Sequence, residues 1–125
     1  MANVLIIDDD DDVRNYLMRL VSMFHHTPFC AANCEEARKR LAQTDPGMEV
    51  IIADVYLPDG PDEAEQWIVE LKEKALGRPL IIITGAASDE LVVEIERCSE
   101  IMATLTKPFE LVFIEELLSR ATEPA

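Results

Sequence analysis

The stretch "IIADVYLPDG", residues 51–60, sets a pattern that recurs along the chain. Ile51, Ile52 and Ala53 continue from Val50 as an unbroken apolar run, the pattern of a strand covered on both faces. The run stops at a lone carboxylate, Asp54, and Pro58 and Gly60 mark a turn just beyond it. A nucleophile or ligand needs fixed geometry, and the end of a rigid buried strand supplies it.

The same kind of run recurs as "VLII" (4–7), "PFCAA" (28–32), "LIIIT" (80–84) and "ATLT" (103–106). Segments with helical spacing lie between and after these runs. Val13, Leu17, Leu20, Val21 and Phe24 mark one face over 12–25, and Ala37, Leu41 and Ala42 do so over 35–43. Ala64, Trp67, Ile68, Leu71 and Leu76 follow over 63–76. Leu91, Val92, Ile95 and Cys98 follow over 89–98, then Leu111, Ile114, Leu117 and Leu118 over 110–121. Breakers fall between them at "TDPG" (44–47), "LPDG" (57–60), "GRP" (77–79) and "KP" (107–108), and Ser88 or Asp89 is placed to cap the fourth helix. Apolar strands alternating with amphipathic helices predict an α/β fold, a doubly wound parallel sheet covered on both sides.

The 125 residues predict one domain over 1–125. A formal net charge of −14 excludes direct nucleic-acid binding and favours cationic metals and basic protein surfaces. Cys30, Cys34 and Cys98 show no disulfide framework, which predicts reduced thiols and a cytoplasmic location. His25, His26, Cys30 and Cys34 match no zinc spacing. The apolar run after Met1 is too short for a secretory leader, and no segment approaches the ~20 apolar residues of a membrane span.

In a sheet of this kind ligands bind beyond the carboxyl ends of the strands. The first strand ends in Asp8 and Asp9, the third in Asp54, the fourth in Thr84 and the fifth in Lys107. Carboxylates gathered at one rim repel unless a cation sits among them. Magnesium fits, because it takes one or two carboxylates together with waters and phosphate oxygens. A lysine and a hydroxyl suit phosphate oxygens, and an aspartate is itself able to form an acyl phosphate. Asp54 is thus the candidate phosphoacceptor, Asp8 and Asp9 the metal-binding pair, and Thr84 and Lys107 the groups that hold the transferred phosphoryl. Asp10, Asp11 and Asp12 read as a solvated cap for the first helix.

In order and spacing, "VLIIDDD", "IIADVYLP", "IIITG" and "LTKPF" resemble the receiver domain of two-component response regulators over essentially the whole chain. The resemblance implies a flavodoxin-like five-stranded sheet of order 2-1-3-4-5 with five helices. It implies that Asp54 takes phosphate from a sensor histidine kinase or a histidine phosphotransfer protein, without a separate enzyme activity. It implies Mg2+ bound directly by Asp9 and Asp54 and by the backbone carbonyl of Tyr56, with Asp8 acting through water. It further implies a downstream protein target on the face made by the fourth helix, fifth strand and fifth helix, in a monomer or a phosphorylation-linked dimer.

Three positions depart from the family pattern. Thr104 stands where a switching aromatic is usual, three residues before Lys107. Asp62 replaces a loop glycine and follows Pro61, in a position to cap the third helix. Tyr56 and Ala86, two residues past Asp54 and Thr84, occupy positions that tune phosphate lifetime in the family. Two other readings stay open. One is a binding module of the same fold that takes no phosphate. The other is a phosphatase of the haloacid dehalogenase type using Asp8 and Asp10, which leaves Asp54 without a role. After Lys107 the chain has one helix and a short tail, so it works alone through protein contacts or is a receiver piece of a longer chain.

Overall fold

The computed structural model describes residues 2–62, 64–84, 101–106 and 111–122, with 84, 101–106 and 111–113 described as backbone. Five parallel strands form one sheet in the order β2-β1-β3-β4-β5, the expected topology. They are β1 (Asn3–Ile7), β2 (Thr27–Ala31), β3 (Val50–Asp54), β4 (Leu80–Thr84) and β5 (Ile101–Thr106). The described helices are α1 (Asp11–Met23), α2 (Cys34–Ala42), α3 (Ala64–Ala75) and the C-terminal α4 (Leu111–Ala121). The helix expected over 89–98 lies outside the described residues, as do Cys98, Ala86 and Lys107.

The strands are apolar throughout because helices cover both faces. Alternate residues sort to opposite sides. Leu5, Ile7, Ile51, Ala53, Leu80 and Ile82 pack with Ala37 and Leu41 of α2 and with Trp67, Ile68 and Leu71 of α3. Val4, Ile6, Val50, Ile52, Ile81 and Ile83 pack with Leu17, Leu20 and Val21 of α1 and with Ile114, Leu117 and Leu118 of α4. Arg38 of α2 adds a bidentate pair to Glu70 of α3 at 2.6 and 3.0 Å and stacks over Trp67.

Two boundaries differ from the sequence expectation. α1 ends at Met23, not residue 25: Phe24 is its C-cap, and His25 takes φ 67° and turns the chain toward β2. β5 begins at Ile101 rather than 103, because Ile101 pairs with Leu80 and Ala103 with Ile81, leaving a register shift between them. At the opposite end of the sheet from Asp54, the Arg78 guanidinium donates to the carbonyls of Leu41, Met48, Lys74 and Ala75. It thereby caps the ends of α2 and α3 with one side chain.

Candidate functional site

β1 and β3 are neighbours, with Ile7 opposite Ala53, so the next residue on each strand, Asp8 and Asp54, falls at the same edge. One carboxylate oxygen from each of Asp8, Asp9 and Asp54 lies within 4.8 Å of the others. Asp8 is 1% exposed and Asp54 6%, the only buried charged side chains among the described residues, while Asp9 is exposed at the rim. Burying two carboxylates side by side is costly without a positive charge between them. The donors are all hard oxygens, the set a magnesium or calcium ion takes.

The backbone around these acids is tied from several directions. Asp8 N–H donates to Ala31 of β2 at 3.1 Å. The Asp8 carboxylate accepts from Asp10 N–H at 2.9 Å, and its main-chain carbonyl accepts from Arg14 Nη1 at 2.8 Å. The Asp10 carboxylate accepts from Asp12 N–H at 2.9 Å and Val13 N–H at 3.3 Å, so it is the N-cap of α1. The acidic run thus divides, with Asp8 and Asp9 beside Asp54 and Asp10 serving the helix. Tyr56 N–H donates to Asp54 Oδ1 at 3.1 Å, fixing the carboxylate at the head of the loop, and the Tyr56 ring is half exposed.

The other expected residues are located only in part. Asp54 is level with Ile83, which puts the Thr84 backbone one step beyond it on the neighbouring strand. Thr84 pairs in turn with Thr106, the residue before Lys107.

Two residues that hold this end together were not anticipated. Asp59 lies in the loop after Asp54, and its carboxylate accepts from Cys34 N–H at 2.7 Å and Glu35 N–H at 3.1 Å, at the start of α2. These bonds, that from Cys34 first, hold its carboxyl below the usual aspartate range. Its signal was the "PDG" turn, legible as a breaker but not as a cap for a helix some 25 residues earlier. Gly60 follows because the space is tight: a Cβ there would lie 3.2 Å from the Leu57 carbonyl oxygen and 3.4 Å from Cys34 Sγ. The second residue is Arg14.

Residues 4–119 match the response regulator receiver domain family. The chain belongs to that family. Receiver domains are signalling modules rather than enzymes in the usual sense; they receive phosphoryl groups from kinases and act on downstream targets. This receiver domain is 28% identical over 120 residues to the regulatory protein AtoC of Escherichia coli K12, an alignment covering 96% of this chain and 25% of AtoC. The chain thus spans about a quarter of the length of the curated relatives it matches. A CheY-like receiver domain from Methanospirillum hungatei superposes with a TM-score of 0.83 at 20% identity, over 97% of this chain and 94% of that one. A response regulator from Burkholderia pseudomallei, solved with a phosphorylated aspartic acid, a calcium ion and citrate, superposes at 0.77 with 25% identity, over 98% of this chain and 69% of that one. The family match leaves the phosphatase reading without support. No helix among the described residues is long and apolar enough to cross a membrane.

Proposed function

We propose that this receiver domain is a magnesium-dependent phosphoacceptor that takes its phosphoryl group on Asp54. The observation that carries the reading is a buried Asp54 carboxylate, fixed by the end of β3 and by Tyr56 N–H, with the carboxylates of Asp8 and Asp9 beside it. The donor is a sensor histidine kinase or a histidine phosphotransfer protein. An Asp54 oxygen attacks the phosphorus of the donor phosphohistidine, an O–P bond forms as the N–P bond breaks, and the imidazole leaves with a proton taken up on nitrogen. Positioning and charge neutralisation supply most of the rate.

Asp9, Asp54 and the Tyr56 backbone carbonyl would hold Mg2+, with Asp8 contributing through water. When bound, the ion neutralises charge on the acids and on the transferring group. Lys107 and Thr84 would contact the phosphoryl oxygens. The product carries extra negative charge and biases the face formed by β5, the C-terminal helix and the helix expected over 89–98 toward a downstream protein target. Thr104 in place of an aromatic makes the volume change on that face small. Residues 1–125 form one receiver domain, working in the cytoplasm as a monomer or as a phosphorylation-linked dimer.

Intact-mass measurement after incubation with acetyl phosphate tests this. One phosphoryl group is expected with Mg2+ present and none after chelation or in Asp54→Asn. No gain in mass from a folded chain, with acetyl phosphate and with a histidine-phosphorylated donor alike, would instead make it a binding module that takes no phosphate.

A further inference from the structure

Arg14 sits on the first full turn of α1, and its side chain is only 16% exposed. Arg14 Nη1 donates to the main-chain carbonyl of Asp8 at 2.8 Å, while Nη2 pairs with the Asp11 carboxylate. Asp8 is therefore held through its N–H on Ala31, its carboxylate on Asp10 N–H, and its carbonyl on Arg14. The first of these runs to β2 and the second to the backbone of the turn itself. The Arg14 bond ties the turn to the body of α1 through a side chain, alongside the Asp10 carboxylate that caps the helix. Asp11, at the other end of the guanidinium, is 80% exposed, so that half of the contact is worth little by itself. The buried half falls on the residue that opens the Asp8–Asp9 turn.

We infer that Arg14 is a positioning residue for the acidic site, holding the turn that carries Asp8 and Asp9 at the distance from Asp54 that a divalent cation needs. The inference rests on the reading of that site as a cation-dependent phosphoacceptor. Groups one bond removed from a metal's ligands set ligand orientation, and their loss commonly costs 10–100-fold in metal affinity. The planar guanidinium is suited to the task, since it donates to the carbonyl and to Asp11 from one rigid fork.

Electrostatics makes the opposite prediction. A positive charge near a cluster of carboxylates repels a cation, so removing it by charge alone would tighten Mg2+ binding. The sign of the effect thus separates positioning from a bystander charge. The measurement is calorimetric titration of the chain with Mg2+, for wild type, Arg14→Met and Arg14→Lys, each checked for an intact fold by circular dichroism. Arg14→Met is expected to bind Mg2+ about tenfold more weakly, and Arg14→Lys, which keeps the charge and loses the fork, to fall in between. Unchanged or tighter binding by Arg14→Met would overturn the inference. Were Arg14→Met to fail to fold, Arg14→Lys binding Mg2+ as wild type does would overturn it equally.

Labelling by acetyl phosphate then separates the role of Arg14 from that of Asp54. Arg14→Met is expected to need about tenfold more Mg2+ for half-maximal labelling and to approach the wild-type rate at saturation. A rate lowered at every Mg2+ concentration, with unchanged half-saturation, would contradict a positioning role. Wild type that bound Mg2+ and took no label would instead count against the phosphoacceptor reading, and the titration would still decide Arg14.

Discussion

The carboxylate of Asp59 accepts a hydrogen bond from Cys34 N–H at 2.7 Å, and so ties the loop leaving the acceptor strand to the first residue of α2. Asn33 caps the same helix from its own side, accepting from Glu36 N–H at 2.9 Å. The N-terminus of α2 therefore has two acidic or amide partners, one local and one from the Asp54 loop.

Asp59→Ala is expected to destabilise the chain by about 0.5–1 kcal/mol, the lower part of the capping range because the carboxylate is exposed to solvent. Asp59→Asn keeps an acceptor and loses less. Because the folded chain holds the Asp59 carboxyl below the ordinary aspartate range, its charge contributes stability above that range, and this is lost as the pH falls from there through the lowered folded value. Urea titration at neutral pH, read at the midpoint with unchanged slope, checks the ranking.

Cys34 is fully buried, and its thiol is pushed up to about 12 by burial first and then by the Asp59 carboxylate. It stays protonated and shielded at neutral pH. Cys30 is only partly buried on the edge strand β2. Alkylation of the native chain at pH 8, followed by peptide mapping, is expected to modify Cys30 about tenfold faster or more. Equal rates would mean that the Asp59 loop opens freely from α2.

Arg78→Met is expected to cost about 2–3 kcal/mol, since it removes charge-assisted bonds to the Leu41, Met48, Lys74 and Ala75 carbonyls together. The loss lies at the far end of the sheet from Asp8 and Asp54. Mg2+ affinity of the folded variant is expected to stay at the wild-type level.

His26 Nδ1 accepts a hydrogen bond from Ala2 N–H at 3.1 Å, just before β1. Burial first, then the positive charge of the N-terminal amino group and of His25, lowers its proton affinity from the ordinary 6.5. The unfolded chain therefore holds more protons here than the folded one below pH 6.5, and stability is lost as the pH falls through 6.5 toward the lowered folded value. Thermal unfolding of wild type against His26→Gln between about pH 7 and pH 5 is expected to show the steeper loss in wild type.

The strands and the acids at their ends were legible because burial on both faces leaves unbroken apolar runs, and the residue after each run is the sheet's edge. Boundaries were less so. Phe24 continues the apolar spacing of α1 and packs against the core, yet the helix has already ended, since periodicity does not register the turn at His25. The early start of β5 depends on a register shift, which is a property of the strand pair and not of either segment. Arg14, Asp59 and Arg78 escaped notice for a shared reason: each bonds to backbone atoms, and backbone atoms leave no mark in a sequence.

In the function proposed above, Asp54 is the nucleophile and Asp8 and Asp9 serve the cation. Peptide mapping of the chain after incubation with acetyl phosphate and Mg2+ tests it most directly. A single phosphoryl group on the peptide containing Asp54 is the predicted result, lost in Asp54→Asn. Phosphate on Asp8 or Asp9 with Asp54 unmodified would contradict it.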